Sequence, residues 1–269
     1  MKKLSVRRRH PLAALVVLLF ALAATGGLYA AFAPAKTAQA DSSSQSIAIE
    51  EGKKLYATGC SSCHGPGGQG STDGPSLVGV GAAAVDFQVG TGRMPAQQPG
   101  AQVPKKQPIY TQAQIDQLAA YIASLGPGPG IPSKKQYDPK GGDIAAGGEL
   151  FRTNCAQCHN FAGEGGALTD GKYAPSLRGV DPKHIYEAML TGPQQMPTFP
   201  DTTMPEKAKR DIIAYVNDTT RADNPNPGGF SLGRLGPVTE GLFGWIFGLG
   251  ALIATAVWVA ARTAKARKS

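Results

Sequence analysis

The sequence Cys60-Ser61-Ser62-Cys63-His64 has a second copy of the same pattern, Cys155-Ala156-Gln157-Cys158-His159. The two copies contain all four cysteines of the 269-residue chain. The Cys-x-x-Cys-His pattern is typical of covalent attachment sites for c-type haem, in which the cysteines bond the porphyrin vinyl groups and the histidine binds the iron. The sequence therefore predicts two covalently bound haem c groups, with these attachment residues and histidine ligands: Cys60, Cys63 and His64 for the first, and Cys155, Cys158 and His159 for the second.

Cysteine pairs with this spacing also occur in zinc sites, disulfides and thioredoxin-like redox centres. None of these sites needs a histidine directly after the second cysteine in both copies. A structural zinc ion is held by four protein ligands, whereas each motif offers three. The pattern therefore favours haem over zinc or a disulfide.

The residues around the two motifs repeat in the same order. A Gly-x-x-Leu-aromatic pattern precedes each motif at identical spacing, and Pro-Ser-Leu, Met-Pro and an apolar segment with a central tyrosine follow it. The matching pairs of segments are 52–56 and 147–151, 75–77 and 175–177, 94–95 and 196–197, and 120–122 and 214–216. This order indicates the duplication of one domain.

The spacing of apolar residues and the positions of Gly and Pro predict the helices. We expect helices over 48–62 and 144–158, which carry the cysteines, and helices over 111–125 and 205–218, which pack across them. Between them, Gly126-Pro127-Gly128-Pro129-Gly130-Ile131-Pro132 fits neither a helix nor a strand, and it predicts a linker.

Each iron needs a second axial ligand if it is to transfer electrons without binding a substrate, and methionine is a common choice. Three methionines precede a proline, which favours an extended backbone over a helix at that position: Met94, Met196 and Met204. Met94 is the candidate for the first haem. For the second haem, the match between the Thr-Gly sequences that precede Met94 and Met196 favours Met196, and Met204 stays open as its rival.

The charge of the chain is concentrated at its two ends. Residues 1–40 carry +6 and residues 241–269 carry +4, so residues 41–240 carry a net −2 within a total of +8. Haem propionates make this central part still more acidic. This distribution argues against nucleic acid as a partner and favours a redox surface that meets charged protein partners.

Apolar segments lie next to both basic ends. Residues 11–35 carry no formal charge, and residues 241–261 form a run of 21 uncharged residues, long enough to cross the lipid bilayer as a helix. Trp245 and Trp258 lie near the ends of the second run, as interfacial anchors do. The first run favours a retained anchor by its length, although Ala38-Gln39-Ala40 before Asp41 is typical of a signal-peptidase site, so cleavage after Ala40 stays open.

The positive-inside rule predicts cytoplasmic termini at both basic clusters if the first segment is retained. Residues 41 to about 237 are then expected on the extracytoplasmic side of the cell membrane, the compartment in which c-type haem is attached. The sequence therefore predicts these segments: a basic region with an apolar N-terminal segment at 1–40, a first haem domain at 41–126, a linker at 127–142, a second haem domain at 143–223, a second linker at 224–237, a transmembrane helix at 238–262 and a basic tail at 263–269.

Taken together, the two haem motifs, Met94, Met196 and the C-terminal apolar run resemble the dihaem cytochrome c subunit of the actinobacterial cytochrome bcc complex. The resemblance covers nearly the whole chain, and its specificity comes from the order of the segments. It implies a mainly α fold with two tandem class I cytochrome c domains, an N-terminal hydrophobic segment and a C-terminal transmembrane helix. It also implies an electron-transfer subunit of a quinol–cytochrome c reductase, with no catalytic site of its own.

The same resemblance implies the partners of the chain. They are a cytochrome b subunit, a Rieske iron-sulfur subunit that delivers electrons, and an aa3-type cytochrome c oxidase that accepts them. Three other functions stay open: the dihaem subunit of a cbb3-type oxidase, a dihaem peroxidase and the cytochrome subunit of a periplasmic dehydrogenase. The C-terminal apolar run argues against the first, and a methionine candidate for each iron argues against the second.

Overall fold

The computed structural model describes residues 11–32, 37–98, 100, 102–220 and 237–266. The chain separates into two compact units, residues 1–47 and residues 48–269. The described residues are mainly helical, as the sequence predicts. A single pair of two-residue strands is present in the described part of the chain.

The first unit contains helix α1 (Pro11–Phe32) and the start of helix α2 (Thr37–Gly59). Helix α1 is apolar along almost its whole length, and none of its described side chains is buried. Its segment Leu12–Tyr29 is long and apolar enough to cross a membrane. Residues 11–32 of the first predicted apolar segment therefore form a helix.

The second unit begins with the remainder of α2 and three further helices, α3 (Ser61–His64), α4 (Gly81–Gly90) and α5 (Gln112–Ser124). We call residues 48–125 the first helix group. Helix α5 begins at a capping box, because the Thr111 hydroxyl accepts from the backbone N–H of Gln114 and the Gln114 side chain accepts from the backbone N–H of Thr111. The core of this group contains mainly aliphatic and tyrosine side chains: Tyr56, Val85, Val89, Ile115, Leu118, Ala119, Tyr121 and Ile122.

The second helix group, residues 134–220, has the same plan. Its elements in chain order are α6 (Lys134–Tyr137), a 3-10 turn (Pro139–Gly141), α7 (Ile144–Asn154), α8 (Ala156–His159), strand β1 (Gly166–Ala167), a 3-10 turn (Thr169–Gly171), strand β2 (Tyr173–Ala174), α9 (Pro182–Thr191) and α10 (Glu206–Thr220). The two strands pair antiparallel. The core contains these residues: Phe151, Ile185, Tyr186, Met189, Met204, Ile212, Ile213, Tyr215 and Val216.

In each group the helix that precedes the cysteines crosses the last helix at a glycine. A Cβ atom on Gly52 would lie 2.0 Å from the carbonyl oxygen of Gln117, and one on Gly147 would lie 1.9 Å from that of Asp211. Both distances are far inside van der Waals contact, so only glycine fits at these crossings. The glycine of the repeated Gly-x-x-Leu-aromatic pattern thus allows the backbones of two helices to touch.

An aromatic pair lies beside each crossing. The Tyr56 and Tyr121 rings lie with their centroids 5.2 Å apart in the first group, and the Phe151 and Tyr215 rings lie 5.3 Å apart in the second. Both pairs are tilted, at 51° and 45°, within the favourable range for aromatic contacts. The repeated aromatic residues of the sequence therefore occupy equivalent positions in the two groups.

The predicted helices exist, with shifted bounds. The expected helices over 48–62 and 144–158 are each divided by a break at Cys60 or Cys155, and α2 begins earlier, at Thr37. Residues 126–132 contain no helix or strand, as their composition predicts. The second predicted linker lies mostly outside the described residues, except for Pro237, with which the next helix begins.

That helix, α11 (Pro237–Ala266), contains the second apolar segment. Its part Gly241–Arg262 is long and apolar enough to cross a membrane, and none of its side chains is buried. Large side chains such as Trp245 and Leu252 are about 70% exposed (69% and 71%), which is unfavourable in water and favourable in lipid. The exposed surface is therefore that expected of a membrane-spanning helix.

The helix crossing predicts the cost of a methyl group at Gly147. We expect Gly147→Ala to destabilise the protein by about 1–3 kcal/mol, because the added carbon overlaps the Asp211 carbonyl and the helices must separate. Thermal unfolding of the haem-loaded full chain in detergent measures the effect. Gly130→Ala is the matched control, since a Cβ at Gly130 has no heavy atom within 4 Å. Equal melting temperatures for the two variants would contradict the importance of this crossing.

Candidate functional site

The first motif lies at the junction of α2 and α3. The backbone N–H of Cys60 donates to the Tyr56 carbonyl at 2.9 Å, and the N–H of His64 donates to the Cys60 carbonyl at 3.0 Å. The chain therefore forms one helical turn between Cys60 and His64. This turn keeps both thiols and the imidazole within one short segment.

The orientation of His64 is set by a proline carbonyl. The Nδ1 atom of His64 lies 2.7 Å from the carbonyl oxygen of Pro75, and the side chain is 9% exposed. A carbonyl only accepts hydrogen bonds, so Nδ1 carries the proton and Nε2 keeps its lone pair for a metal. The Leu77 N–H donates to the Gly68 carbonyl at 2.7 Å and holds the intervening loop in place. The Pro-Ser-Leu repeat of the sequence is thus the segment that orients the ligand.

The second motif repeats this geometry. The Nδ1 atom of His159 lies 3.0 Å from the Pro175 carbonyl oxygen, and the Leu177 N–H donates to the Gly163 carbonyl at 2.8 Å. Burial lowers the pKa of His159, although the bond to Pro175 opposes this shift. The imidazole is therefore neutral at physiological pH, which is the form that binds a metal.

The four thiols are free, so the disulfide interpretation receives no support. Burial, and next the neighbouring Cys63, raises the pKa of Cys60 to about 11, and burial with Cys158 raises that of Cys155 to about 11. A catalytic or redox-active cysteine needs a lowered thiol pKa. The environment of these two cysteines therefore disfavours the reactive thiolate form. It is compatible with cysteines that serve for haem attachment.

The second site opens into a cavity of about 480 Å³. Cys155, Cys158, His159 and Met196 all contribute to its wall, together with apolar residues of α7, α9 and α10. The structure thus brings together the predicted attachment residues, the predicted histidine ligand and one predicted methionine. This set of donors around a mostly apolar cavity fits a covalently attached haem.

The two candidate methionines of the second group lie in different places. Met196 is partly buried and lines the cavity that His159 also lines. Met204 is 5% exposed, belongs to the packed core, and is not among the residues that line this cavity. The geometry favours Met196 over Met204 as a sixth ligand.

Met94 lies in the first group, in the segment that follows α4. Its N–H donates to the Gln88 carbonyl at 2.9 Å, and its side chain packs against the same core cluster as Cys60. Met196 and Cys155 likewise pack against one cluster in the second group. The first cysteine of each motif and the methionine predicted as its partner therefore pack against the core of the same helix group.

The sequence analysis missed the contribution of the first helix group to the second cavity. Six residues of the first group line this cavity: Phe87, Thr91, Arg93, Gln102, Val103 and Lys105. Thr91 and Arg93 lie just before Met94 in the sequence, but nothing in the sequence indicates which cavity they line. This contribution depends on how the two groups pack.

The sequence analysis also missed a buried charge cluster between α4 and α9. Lys183 Nζ lies 2.6 Å from Asp86 Oδ2, and Gln112 donates to Asp86 Oδ1 at 3.1 Å. Glu187 is fully buried beside them, and His184 Nε2 lies 4.0 Å from its carboxyl. These residues join the two helix groups, because Asp86 lies in the first and Lys183 in the second.

The two acids of this cluster have opposite pKa shifts. Burial, and next Asp86, raises the pKa of Glu187 to about 10. For Asp86, burial opposes ionisation, but its polar neighbours Glu187, Lys183 and Gln112 hold its pKa below the usual value. Glu187 is therefore neutral beside an ionised Asp86, an arrangement that avoids two adjacent buried anions.

Family models match both helix groups. The model described as Cytochrome c matches residues 49–126, and the model described as Cytochrome C oxidase, cbb3-type, subunit III matches residues 142–216. These matches confirm the expected tandem arrangement of cytochrome c domains. They also support covalent binding of haem c.

Curated relatives match nearly the whole chain. The chain is 49% identical over 264 residues to the cytochrome bc1 complex cytochrome c subunit of Mycobacterium bovis, a match that covers 96% of this chain and 93% of the relative. It is 46% identical over 282 residues to the protein of the same name from Corynebacterium efficiens, covering 97% and 94%. The cbb3-type cytochrome c oxidase subunit FixP of Azorhizobium caulinodans is 31% identical over 163 residues, covering 55% and 51%.

The raised pKa of Glu187 predicts how stability depends on pH. A folded-state pKa above the usual value means that the folded protein binds more protons than the unfolded chain between about pH 4.5 and about pH 10. We therefore expect the free energy of unfolding to fall as pH rises through this window, with a contribution from Glu187 of at most about 1.4 kcal/mol per pH unit. Denaturant unfolding of the full chain at a series of pH values measures this slope.

Glu187→Gln should flatten the slope, because a neutral amide replaces the group that must stay protonated. Glu149→Gln is the matched control, since Glu149 lies exposed on α7 and its loss should leave the slope unchanged. A Glu187→Gln protein with the same pH dependence as the parent would contradict the assignment of a neutral Glu187.

Proposed function

The chain belongs to the family of cytochrome c subunits of the cytochrome bc1 complex, and we propose that it carries electrons within that complex through two covalently attached haem c groups. One observation carries this proposal: a near full-length similarity to these subunits coincides with two sites of the same geometry, His64 with Pro75 and His159 with Pro175. The role is electron transfer in respiration, as a subunit of a quinol–cytochrome c reductase. The chain itself has no catalytic site in this proposal.

We assign the attachment and ligand residues as the sequence analysis predicts them. The first haem is attached through Cys60 and Cys63, and the second through Cys155 and Cys158. The iron ligands are these: His64 and Met94 for the first, and His159 and Met196 for the second. The shared cavity of Met196 and His159, and the core position of Met204, support this choice for the second site.

Bound haem supplies an iron that accepts and releases one electron at a time, and the protein residues control its surroundings. The Pro75 and Pro175 carbonyls hold the two imidazole rings in a fixed tautomer and orientation. The buried aromatic and aliphatic side chains of each core exclude water. A thioether ligand and a dry environment both favour the reduced state and raise the potential. No position is needed for a substrate on either metal.

The membrane arrangement follows from α1, α11 and the basic ends. Both helices are apolar and have no buried side chains in their candidate spans. Arg262 lies over the Trp258 ring at 4.5 Å from its centroid, as a pair at the membrane interface would. We propose that the helix groups lie on the extracytoplasmic side and that both termini are cytoplasmic, with α1 retained as an anchor.

We propose haem domains at 41–126 and 143–223, which overlap the first and second helix groups. The partners we propose within the complex are a cytochrome b subunit and a Rieske iron-sulfur subunit, with an aa3-type oxidase as the electron acceptor. Fixing both haems on one anchored chain keeps them at a high local concentration for partners in the same membrane. The match to a cbb3-type oxidase subunit spans only about half of the chain (55%), so we favour the bc1 complex over that alternative.

Purification from native membranes tests the proposed complex. We expect the tagged chain, extracted in mild detergent, to bring haem b and haem a with it in reduced-minus-oxidised spectra. Haem c without haem b would contradict membership of a bc1-type complex. Haem b without haem a would support membership of the bc1-type complex and contradict the proposed oxidase partner.

Replacement of the methionines tests the ligand assignment. Met94→Ala and Met196→Ala should each lower the potential of one haem and open that haem to carbon monoxide, because a strong-field ligand is lost from one side of the iron. Redox titration and the carbon monoxide difference spectrum of the reduced complex measure both effects. Met204→Ala is the matched control for the second haem, and carbon monoxide binding to this variant alone would overturn the choice of Met196.

A further inference from the structure

Arg93 lies directly before Met94 in the first helix group, yet its side chain lines the cavity of the second group. Its guanidinium carbon is 4.8 Å from the centroid of the Phe87 ring, and Phe87 lines the same cavity. The side chain is only partly exposed. A cation of the first group is therefore held at the wall of the second haem site.

Three partly or fully buried cations of the described residues have a carboxylate partner. Arg178 pairs with Glu164, Lys183 pairs with Asp86, and Lys209, which is fully buried, pairs with Asp201. Arg93 differs from them, because no carboxylate of the described residues lies within ion-pair distance of its guanidinium. A shielded charge is costly unless an anion compensates it.

The position of Arg93 at this cavity is fixed by contacts between the two groups. The Gln102 side chain donates to the Tyr173 carbonyl at 2.7 Å and accepts from the Tyr173 N–H at 2.8 Å. Gln194 donates to the Val103 carbonyl at 3.2 Å. The buried pair of Lys183 and Asp86 joins the groups at α4 and α9. Residues of the first group therefore form part of the wall of the second cavity, and these contacts hold them there.

We propose that Arg93 binds a propionate carboxylate of the haem attached at Cys155 and Cys158, so that both helix groups hold the second haem. The proposal rests on the proposed function, because it requires haem at that site. Haem c carries two propionates, and a guanidinium can bind one carboxylate through two parallel hydrogen bonds. This interaction supplies the anion that Arg93 lacks among the described residues.

The proposal gives Arg93 a measurable effect on the second haem. A positive charge at the propionate disfavours the ferric state, which carries one more positive charge than the ferrous state. Loss of this charge should shift the ferric–ferrous equilibrium of the second haem roughly tenfold towards ferric, which is about 59 mV for one electron. The first haem should change less.

The test is a redox titration of the assembled, detergent-solubilised complex with Arg93→Gln. The two haems are distinguished by making each variant in a Cys158→Ala background. This change leaves one vinyl group of the second haem conjugated with the porphyrin, which shifts the absorption of that haem to longer wavelength. Cys60→Ala marks the first haem in the same way, so either tag suffices. Arg93→Met repeats the test if Arg93→Gln does not assemble.

Two variants serve as controls. Arg93→Lys keeps the charge and should retain most of the parental potential of the second haem. Lys53→Gln removes one charge from an exposed position on α2 outside the cavity and should shift neither haem. The haem b that co-purifies with each sample reports the proposed function independently of the potentials.

A lowered potential of the second haem in Arg93→Gln, retained in Arg93→Lys, supports the proposal. An unchanged second haem overturns it. A shift confined to the first haem also overturns it, because Arg93 would then act through its neighbour Met94. A shift of the same size in Lys53→Gln would mean a general charge effect and would equally contradict a specific bond.

Discussion

The close crossing of two helices at a glycine is the contact on which each proposed haem site depends. At Gly52 and Gly147 the backbone of one helix touches a carbonyl of another, and a tilted aromatic pair fills the space beside the contact. The first of these helices ends at the cysteines, so the crossing determines where the motif lies relative to the core. The loop after the motif can then return to place a proline carbonyl at the histidine. A methyl group at the crossing would displace all of these parts together.

In both proposed sites, a backbone carbonyl orients the histidine that would bind the iron. The carbonyls of Pro75 and Pro175 accept from the imidazoles and leave the opposite nitrogens free. The methionines stand in segments before proline, outside the helices, where a thioether can reach across a cavity. The raised thiol pKa of Cys60 and Cys155 agrees with the proposal that these cysteines attach haem, because a reactive cysteine needs a lowered pKa.

The two helix groups form more than a tandem repeat, since residues of the first complete the wall of the second cavity. Gln102 binds both backbone groups of Tyr173 much as a neighbouring strand would, and Asp86 meets Lys183 and a neutral Glu187 in a dry interface. The pair of Lys183 and Asp86 joins the two groups, and loss of Lys183 alone would leave the Asp86 charge unpaired in a buried site. The wall of the second cavity is therefore formed in part by residues outside its own repeat.

The sequence by itself determined the haem motifs, the duplication, the main helices and the two apolar segments, because each follows from spacing along a short stretch of chain. Covalent attachment needs two cysteines and a histidine within five residues, and an amphipathic helix shows its period within about four turns. Only the tertiary structure distinguished the cavity position of Met196 from the core position of Met204, and only it placed Arg93 at the second site and Asp86 beside Glu187. Asp86 and Glu187, or Arg93 and His159, lie many residues apart in the chain, and no local pattern of charge or hydrophobicity records how two packed domains bring such residues together.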